Sequence, residues 1–194
     1  MKRILIIDNY DSFVFNIVQL LRESALCPQI EVVKNTDIPF HRLDSFQGIV
    51  LSPGPGIPAE AGSLLKLLEQ CAATHPLLGI CLGHQAIVEH FGGTIINLHA
   101  PLHGHCSHLK ITDSTDPLLR GIGEGAAIGR YHSWSADPAT LPPCLRVSAT
   151  DEEGNIMAIR HTSLPIYGLQ FHPESYISAC GARIIDNWLE MSLS

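Results

Sequence analysis

Residues 76–93 constrain the fold more than any other stretch, because a strand pattern, a sharp turn and a helix pattern follow one another directly. Leu77–Ile80 is a short apolar run after a proline, which is typical of a buried strand in a parallel sheet. From Gly83 to Phe91 apolar residues recur at helical spacing, and two glycines follow where the helix should end. This succession predicts an α/β fold.

Cys81 lies at the apex of the turn, with Gly79 and Gly83 two residues to either side. Such a turn is the layout of a nucleophile elbow, here with cysteine in place of serine. The flanking glycines are needed because the turn is strained and a side chain at either position would crowd it. Free backbone N–H groups and the helix dipole would favour a thiolate at this helix N-terminus. The residues alone also allow a simpler interpretation, in which Cys81 is a small buried apolar residue.

A second group of reactive residues follows a predicted strand at Ile166–Phe171. His172 and Glu174 come just after it, and Pro173 between them restricts the chain. A catalytic thiol needs a base to take its proton, and that base needs a third group to orient it. Cys81, His172 and Glu174 supply these three chemistries, and such residues meet in space although they lie far apart along the chain.

Two motifs, G-I-C-L-G-H-Q at 79–85 and Q-F-H-P-E-S at 170–175, resemble those of the class I glutamine amidotransferases, which use a Cys-His-Glu triad. The resemblance extends to I-I-D-N-Y-D-S-F at 6–13 and L-S-P-G-P-G at 51–56. Within this family the chain most resembles the glutaminase subunits of anthranilate synthase, and the similar subunits of aminodeoxychorismate (para-aminobenzoate) synthase come second. The run P-G-P-G-I-P-A-E-A-G at 53–62 favours the anthranilate group modestly.

The resemblance implies a flavodoxin-like fold, with a mostly parallel central sheet flanked by helices and a late antiparallel portion. It implies hydrolysis of L-glutamine to glutamate, with the ammonia passed to a chorismate-using synthase component I in a hetero-oligomer. Forming anthranilate would be the chemistry of that partner. No cofactor is expected on this chain, and any Mg²⁺ would belong to the partner subunit.

The loop after a predicted strand at Gly48–Leu51 suits an oxyanion hole, because glycine lets the backbone approach a substrate and proline holds it still. It could equally be an ordinary stiff loop. By resemblance, Gly54, Pro55 and Gly56 contact the substrate, and the N–H groups of Gly56 and Leu82 stabilise the oxyanion.

Three further substrate contacts follow from the resemblance. Gln85 occupies a position that contacts bound glutamine in the family. The backbone of Ser133 and Trp134, in the run Y-H-S-W, holds the α-amino and α-carboxylate end of glutamine. Without the family match, this run would be interpreted as a buried aromatic cluster at a strand end. His84, at the start of the helix, is expected to be structural because the helix dipole disfavours an imidazolium there.

The remaining patterns predict further regular elements. Strands are expected at Arg3–Ile7, Ile30–Val33, Thr94–Leu98, Ala127–Tyr131, Leu145–Ala149 and Asn155–Arg160, and helices after Ser12, at Ala59–Ala73 and at Ala179–Met191.

Composition narrows the class of protein. At 194 residues, with 45% hydrophobic and 16% charged residues, the chain is expected to form one globular domain, residues 1–194. A formal net charge of −7 without a cluster of basic residues argues against nucleic-acid binding. No apolar run is long enough for a membrane span. The six cysteines are scattered and no secretory signal is recognisable, which predicts reduced thiols in the cytoplasm.

A histidine-rich run, His99, His103, His105 and His108, raises the question of a metal site. Its spacing matches no closed zinc pattern, so no metal is expected. The run resembles the H-G-K segment of the family, but His105 replaces the lysine and removes whatever contact that lysine makes.

Two other functions remain open from the residues. The chain could be another Cys-His hydrolase, such as a γ-glutamyl hydrolase or a peptidase-like protein. It could also be a binding or regulatory subunit whose site no longer reacts, although the intact Cys81, His172 and Glu174 argue against this.

Overall fold

The computed structural model describes residues 2–98 and 103–193. Its strands are β1 Arg3–Asp8, β2 Gln29–Lys34, β3 Gly48–Leu51, β4 Leu77–Ile80, β5 Ile95–Asn97, β6 His105–His108, β7 Lys110–Ile111, β8 Ala127–Arg130, β9 Trp134–Ala136, β10 Leu145–Thr150, β11 Ile156–His161 and β12 Ile166–Leu169. Its α-helices are α1 Val14–Glu23, α2 Leu64–Cys71, α3 Leu82–His90 and α4 Gly181–Ser192. Short 3₁₀ helices lie at Phe40–Ser45, Pro58–Glu60 and Pro117–Leu119.

Eight of the described strands form one central sheet in the order β2-β1-β3-β4-β12-β11-β10-β7. Neighbouring strands from β2 to β12 are parallel, whereas those from β12 to β7 are antiparallel. The parallel part has the flavodoxin-like order, in which ligands bind beyond the carboxyl ends of the strands. The predicted α/β class, with a mostly parallel sheet and a late antiparallel portion, is confirmed.

Helices cover both faces of the parallel part. Side chains of β1 alternate, so Ile4 and Ile6 pack in one core with Trp188 of α4, whereas Leu5 and Ile7 pack in the other with Leu64 of α2. Because both faces are covered, every residue of β3 and β4 is buried. The continuous apolar runs seen in the sequence are the consequence of this double burial.

The helix expected at Ala59–Ala73 is wrong in its first part. Residues 58–60 form a 3₁₀ turn and the α-helix begins only at Leu64. Gly62 separates the two with a φ of 56°, a left-handed conformation that no α-helix accommodates. A Cβ on Gly62 would also lie 2.8 Å from the Asn35 side chain, so packing against Asn35 also requires a glycine at this break in the helix.

Two small antiparallel sheets, β5 with β9 and β6 with β8, lie outside the central sheet. The expected strand at Thr94–Leu98 is present as β5, but β6, β7 and β9 were not predicted. These strands are short, and β6 and β9 carry no clear alternation of apolar residues. None of the helices among the described residues is long and apolar enough to cross a membrane.

Candidate active site

Cys81 lies between β4 and α3 in a backbone conformation that is rare for a residue with a side chain. Its φ is 52° and its ψ is −101°. Packing leaves no room for side chains around it: a Cβ on Gly83 would be 2.3 Å from the Leu51 carbonyl oxygen, and one on Gly79 would be 2.5 Å from the Gly83 carbonyl carbon. Both glycines are therefore required for the turn that places the thiol beyond the end of β4.

His172 and Glu174 form a buried pair just beyond β12. The Nδ1 of His172 lies 2.7 Å from the Glu174 carboxylate, and neither side chain is more than 2% exposed. The His172 backbone is fixed as well, because its N–H donates to Gly129 and its carbonyl accepts from the Ser178 hydroxyl at 2.6 Å. With Nδ1 held by the carboxylate, Nε2 remains without a hydrogen-bond partner among the described residues.

The charge state of His172 follows from its neighbours. Burial lowers the pKa of His172, but the sulfur of Cys81 and the carboxylate of Glu174 favour the imidazolium more strongly and raise that pKa to about 10. Cys81 and His172 line the same opening, of about 510 Å³. The arrangement therefore suits a thiol and an imidazole that exchange a proton.

A second cavity, of about 250 Å³, is also lined by Cys81 and is smaller than typical sites for drug-sized ligands. It brings together most of the residues expected to bind substrate: Gly54, Pro55, Gly56, Gln85, Ser133 and Trp134. Leu82 is not in its lining, and the residue is buried at the start of α3. The cavity has the size of a site for an amino acid.

Asn9 holds the loop after β3, although no sequence pattern singled it out for this role. Its backbone N–H donates to the Ser52 hydroxyl at 2.9 Å, and its side-chain amide donates to the Ser52 carbonyl at 2.8 Å. A Cβ on Gly54 would lie 2.6 Å from the Asn9 Cβ, so the loop packs directly on this residue. The available signal was the motif I-I-D-N-Y-D-S-F at 6–13, which contributed only to the family resemblance.

Gln85 and Gln170 connect the cavity wall to the thiol. The Gln85 amide donates to the Trp134 carbonyl at 2.9 Å and to the Gln170 side-chain oxygen at 3.3 Å. The Gln170 amide in turn lies 3.8 Å from the sulfur of Cys81. Gln170 was part of a quoted motif but was not predicted to have a role of its own.

Of His84 and the described members of the histidine-rich run, only His103 lines the two cavities. Burial lowers the pKa of His84 to about 3, so its imidazole is neutral and unsuited to act as a base at neutral pH. His103 lines both cavities, His108 pairs with Glu152 at 2.6 Å, and His99 lies outside the described residues. No three His, Cys, Asp or Glu side chains of the described part of the chain are grouped so as to hold a metal.

Comparisons with known proteins agree with this geometry. Residues 5–191 match the family model described as glutamine amidotransferase class-I. The chain is 47% identical to anthranilate synthase component 2 of Mycobacterium tuberculosis, with 96% of this chain and 81% of the relative covered. It is 40% identical to the aminodeoxychorismate/anthranilate synthase component 2 of Bacillus subtilis, with 96% and 95% covered.

Among solved structures, a Thermoplasma acidophilum protein assigned to GMP synthase superposes with a TM-score of 0.87. The two are 26% identical, and the match covers 100% of this chain and 94% of that one. The family model spans nearly the whole sequence, and the relatives match along the same length. The chain therefore belongs to the class I glutamine amidotransferase family.

Proposed function

We propose that this chain is the glutamine-hydrolysing subunit of an anthranilate synthase, that Cys81, His172 and Glu174 are its catalytic triad, and that it passes ammonia to a chorismate-using synthase component I. The observation that carries the proposal is the placement of Cys81, on a strained turn, beside a buried His172–Glu174 pair and at the wall of a cavity of amino-acid size. The M. tuberculosis relative supports the choice of anthranilate synthase.

The reaction begins when the Cys81 thiolate attacks the side-chain carboxamide of glutamine. A sulfur–carbon bond forms, and the N–H groups of Gly56 and Leu82 stabilise the negative charge on the carboxamide oxygen. The His172 imidazolium then gives its proton to the nitrogen as the carbon–nitrogen bond breaks. Ammonia leaves and a γ-glutamyl thioester remains on Cys81.

The second half of the reaction uses the same groups in reverse. His172, now neutral, takes a proton from water while the water oxygen attacks the thioester carbon. The carbon–sulfur bond breaks, glutamate leaves and Cys81 returns to the thiolate. Throughout, Glu174 holds Nδ1 of His172 and stabilises the imidazolium, which is the role of the third member of a triad.

A second candidate function is the same role in an aminodeoxychorismate synthase. It is favoured by the B. subtilis relative, whose name contains both activities. The two functions share every chemical step on this chain and differ only in the synthase that consumes the ammonia.

Reconstitution tests the proposal and separates the two candidates. The chain is mixed with chorismate, glutamine and the large subunit of either an anthranilate or an aminodeoxychorismate synthase, and both products are measured. We expect glutamine-dependent anthranilate from the first mixture, its loss with Cys81→Ala, and no change with the control Cys144→Ala, since Cys144 lines neither cavity. Product in the second mixture alone would favour the aminodeoxychorismate synthase role.

Hydrolysis without any synthase separates the remaining alternatives. Turnover of γ-glutamyl peptides that equals turnover of glutamine would favour a γ-glutamyl hydrolase. Unchanged behaviour of Cys81→Ala in every mixture would favour a binding subunit.

A further inference from the structure

Arg130 and Asp151 form a buried ion pair outside both cavities described above. The side chains are 3% and 1% exposed. Asp151 is fixed by the turn between β10 and β11, because its Oδ1 accepts from the N–H groups of Glu153 at 3.0 Å and Asn155 at 2.8 Å. Burying two charges costs desolvation energy that their attraction often does not recover, so such a pair is weak support for stability and needs another reason.

Arg130 also donates a hydrogen bond from a second nitrogen, and this contact gives a reason to keep the buried pair. Its Nε donates to Nε2 of His132 at 3.1 Å, while its Nη1 donates to Asp151. A ring nitrogen that accepts a hydrogen bond carries no hydrogen, so the hydrogen of the neutral His132 ring is on Nδ1. That Nδ1 lies 2.8 Å from the Trp134 carbonyl, to which it donates. Arg130 thus selects the tautomer that can hold the carbonyl.

His132 stays neutral in this environment. Burial lowers its pKa to about 4, the charges of Arg130 and His172 act in the same direction, and Asp151 opposes them. His84, which also lies near the ring, is itself neutral because it is fully buried. The tautomer, and not a titration, is therefore the property that Arg130 controls.

The Trp134 carbonyl links this network to the reactive thiol. It accepts from His132 and from the Gln85 amide, whose Nε2 also donates to Gln170, and Gln170 lies against the sulfur of Cys81. The buried ion pair and the thiol are the two ends of one hydrogen-bonded chain. Gln85, His132 and Trp134 line the smaller cavity, so this chain forms part of its wall.

We propose that Arg130 and Asp151 are positioning residues for glutamine binding, which act by fixing the His132 tautomer and with it the Trp134 carbonyl and the Gln85 amide. This inference rests on the proposed function, since it assumes that glutamine occupies the smaller cavity. The pair touches no substrate atom, so its loss should weaken binding more than it slows the chemical steps.

Arg130→Lys tests the proposal, because lysine keeps the charge beside Asp151 but lacks the fork that also reaches His132. The matched control is Arg160→Lys on β11, where an arginine donates through Nε to Asp113 at 2.9 Å, away from both cavities. Two quantities are measured: the ring ¹⁵N shifts of His132, assigned with His132→Gln, and the steady-state constants for glutamine.

For Arg130→Lys we expect loss of the pure Nδ1–H tautomer, a KM for glutamine raised about five- to tenfold, as for a lost hydrogen bond, and a kcat within about twofold of wild type. Arg160→Lys should match wild type in both readouts. An unchanged tautomer, or an altered tautomer with an unchanged KM, would overturn the proposal.

A second variant covers the case in which Arg130→Lys does not fold. Arg130→Met combined with Asp151→Asn removes both charges but keeps the side-chain oxygen that the turn requires, and it should raise KM in the same way. If wild type neither binds nor hydrolyses glutamine, the proposed function fails and the binding role with it, whereas the tautomer result does not depend on glutamine.

Discussion

The parallel and antiparallel parts of the molecule contribute differently to the candidate site. Cys81 and the loop after β3 come from the carboxyl ends of neighbouring parallel strands, where glycines pack against backbone atoms at distances that allow no side chain. The opposite wall comes from β8, β9 and the residues between them, which are held by side-chain hydrogen bonds. The parallel part thus fixes the proposed nucleophile through backbone packing, and the other part shapes the smaller cavity through a polar network.

β12 joins the two parts, since it is parallel to β4 and antiparallel to β11. His172 follows this strand, and a backbone bridge ties it to Gly129 of β8. The proposed base therefore lies where the rigid part and the polar network meet. On this account, changes in the parallel part should lower kcat or stability, and changes in the polar network should raise KM.

The largest expected effect is at His172 and Glu174, which lie where the parallel and antiparallel parts meet. His172→Gln should reduce glutamine hydrolysis more than about a thousandfold, because it removes the group that we propose protonates the departing ammonia. Glu174→Gln should cost less, about a hundredfold, since it acts only through the histidine. Both are measured as glutamate release, with the exposed His41→Gln as a control that should retain full activity. Equal losses for all three variants would contradict the assignment.

The second prediction concerns backbone packing and is measured as a loss of stability. Gly83→Ala should lower the free energy of unfolding by about 3 kcal/mol, because its Cβ would overlap the Leu51 carbonyl oxygen. Gly123→Ala, in the loop before β8, meets no atom within 4 Å and should change stability little. Urea denaturation of both variants provides the comparison, and a Gly83→Ala protein as stable as wild type would show that the turn is not rigid.

Asn9→Ala should have a smaller effect, and mainly on kcat. Without the side-chain hydrogen bond from Asn9 to the Ser52 carbonyl, the loop that carries Gly56 is held less firmly, and stabilisation of the transition state falls by about tenfold in rate. Asn16→Ala, an exposed position on α1, is the control. Steady-state kinetics with glutamine would contradict the comparison if Asn9→Ala raised KM at constant kcat.

A further expected effect is on the pH dependence of stability. The pKa of His172 is raised in the folded protein to about 10, from about 6.5 when unfolded, so folding favours its protonated form. Its contribution to stability is complete below about pH 6.5 and is lost as the pH rises toward 10. The difference in unfolding free energy between wild type and His172→Gln should therefore shrink over this range. A difference that grows instead would mean that folding lowers the pKa of His172.

Local patterns were sufficient to predict part of this structure. The strand at Leu77–Ile80, the turn at Cys81 and the following helix depend on apolar runs and glycines that are adjacent in sequence. The break at Gly62 was missed because the glycine acts through contact with Asn35, which is remote in sequence.

Within the candidate site, too, contacts between residues remote in sequence were not predicted. The residues expected around the smaller cavity do gather there, except Leu82, because they were identified from family motifs. Asn9, Gln170 and the Arg130–His132 contact were missed, since each depends on which strands become neighbours. No local periodicity encodes such pairings across the sheet.

The most direct test of the central claim is covalent labelling with a diazoketone analogue of glutamine, followed by mass spectrometry of the peptides. We expect one adduct, on Cys81, which forms more slowly when glutamine is present and much more slowly in His172→Gln. Labelling of the exposed Cys27 or Cys106 instead, or of Cys81 at a rate that glutamine does not change, would contradict it.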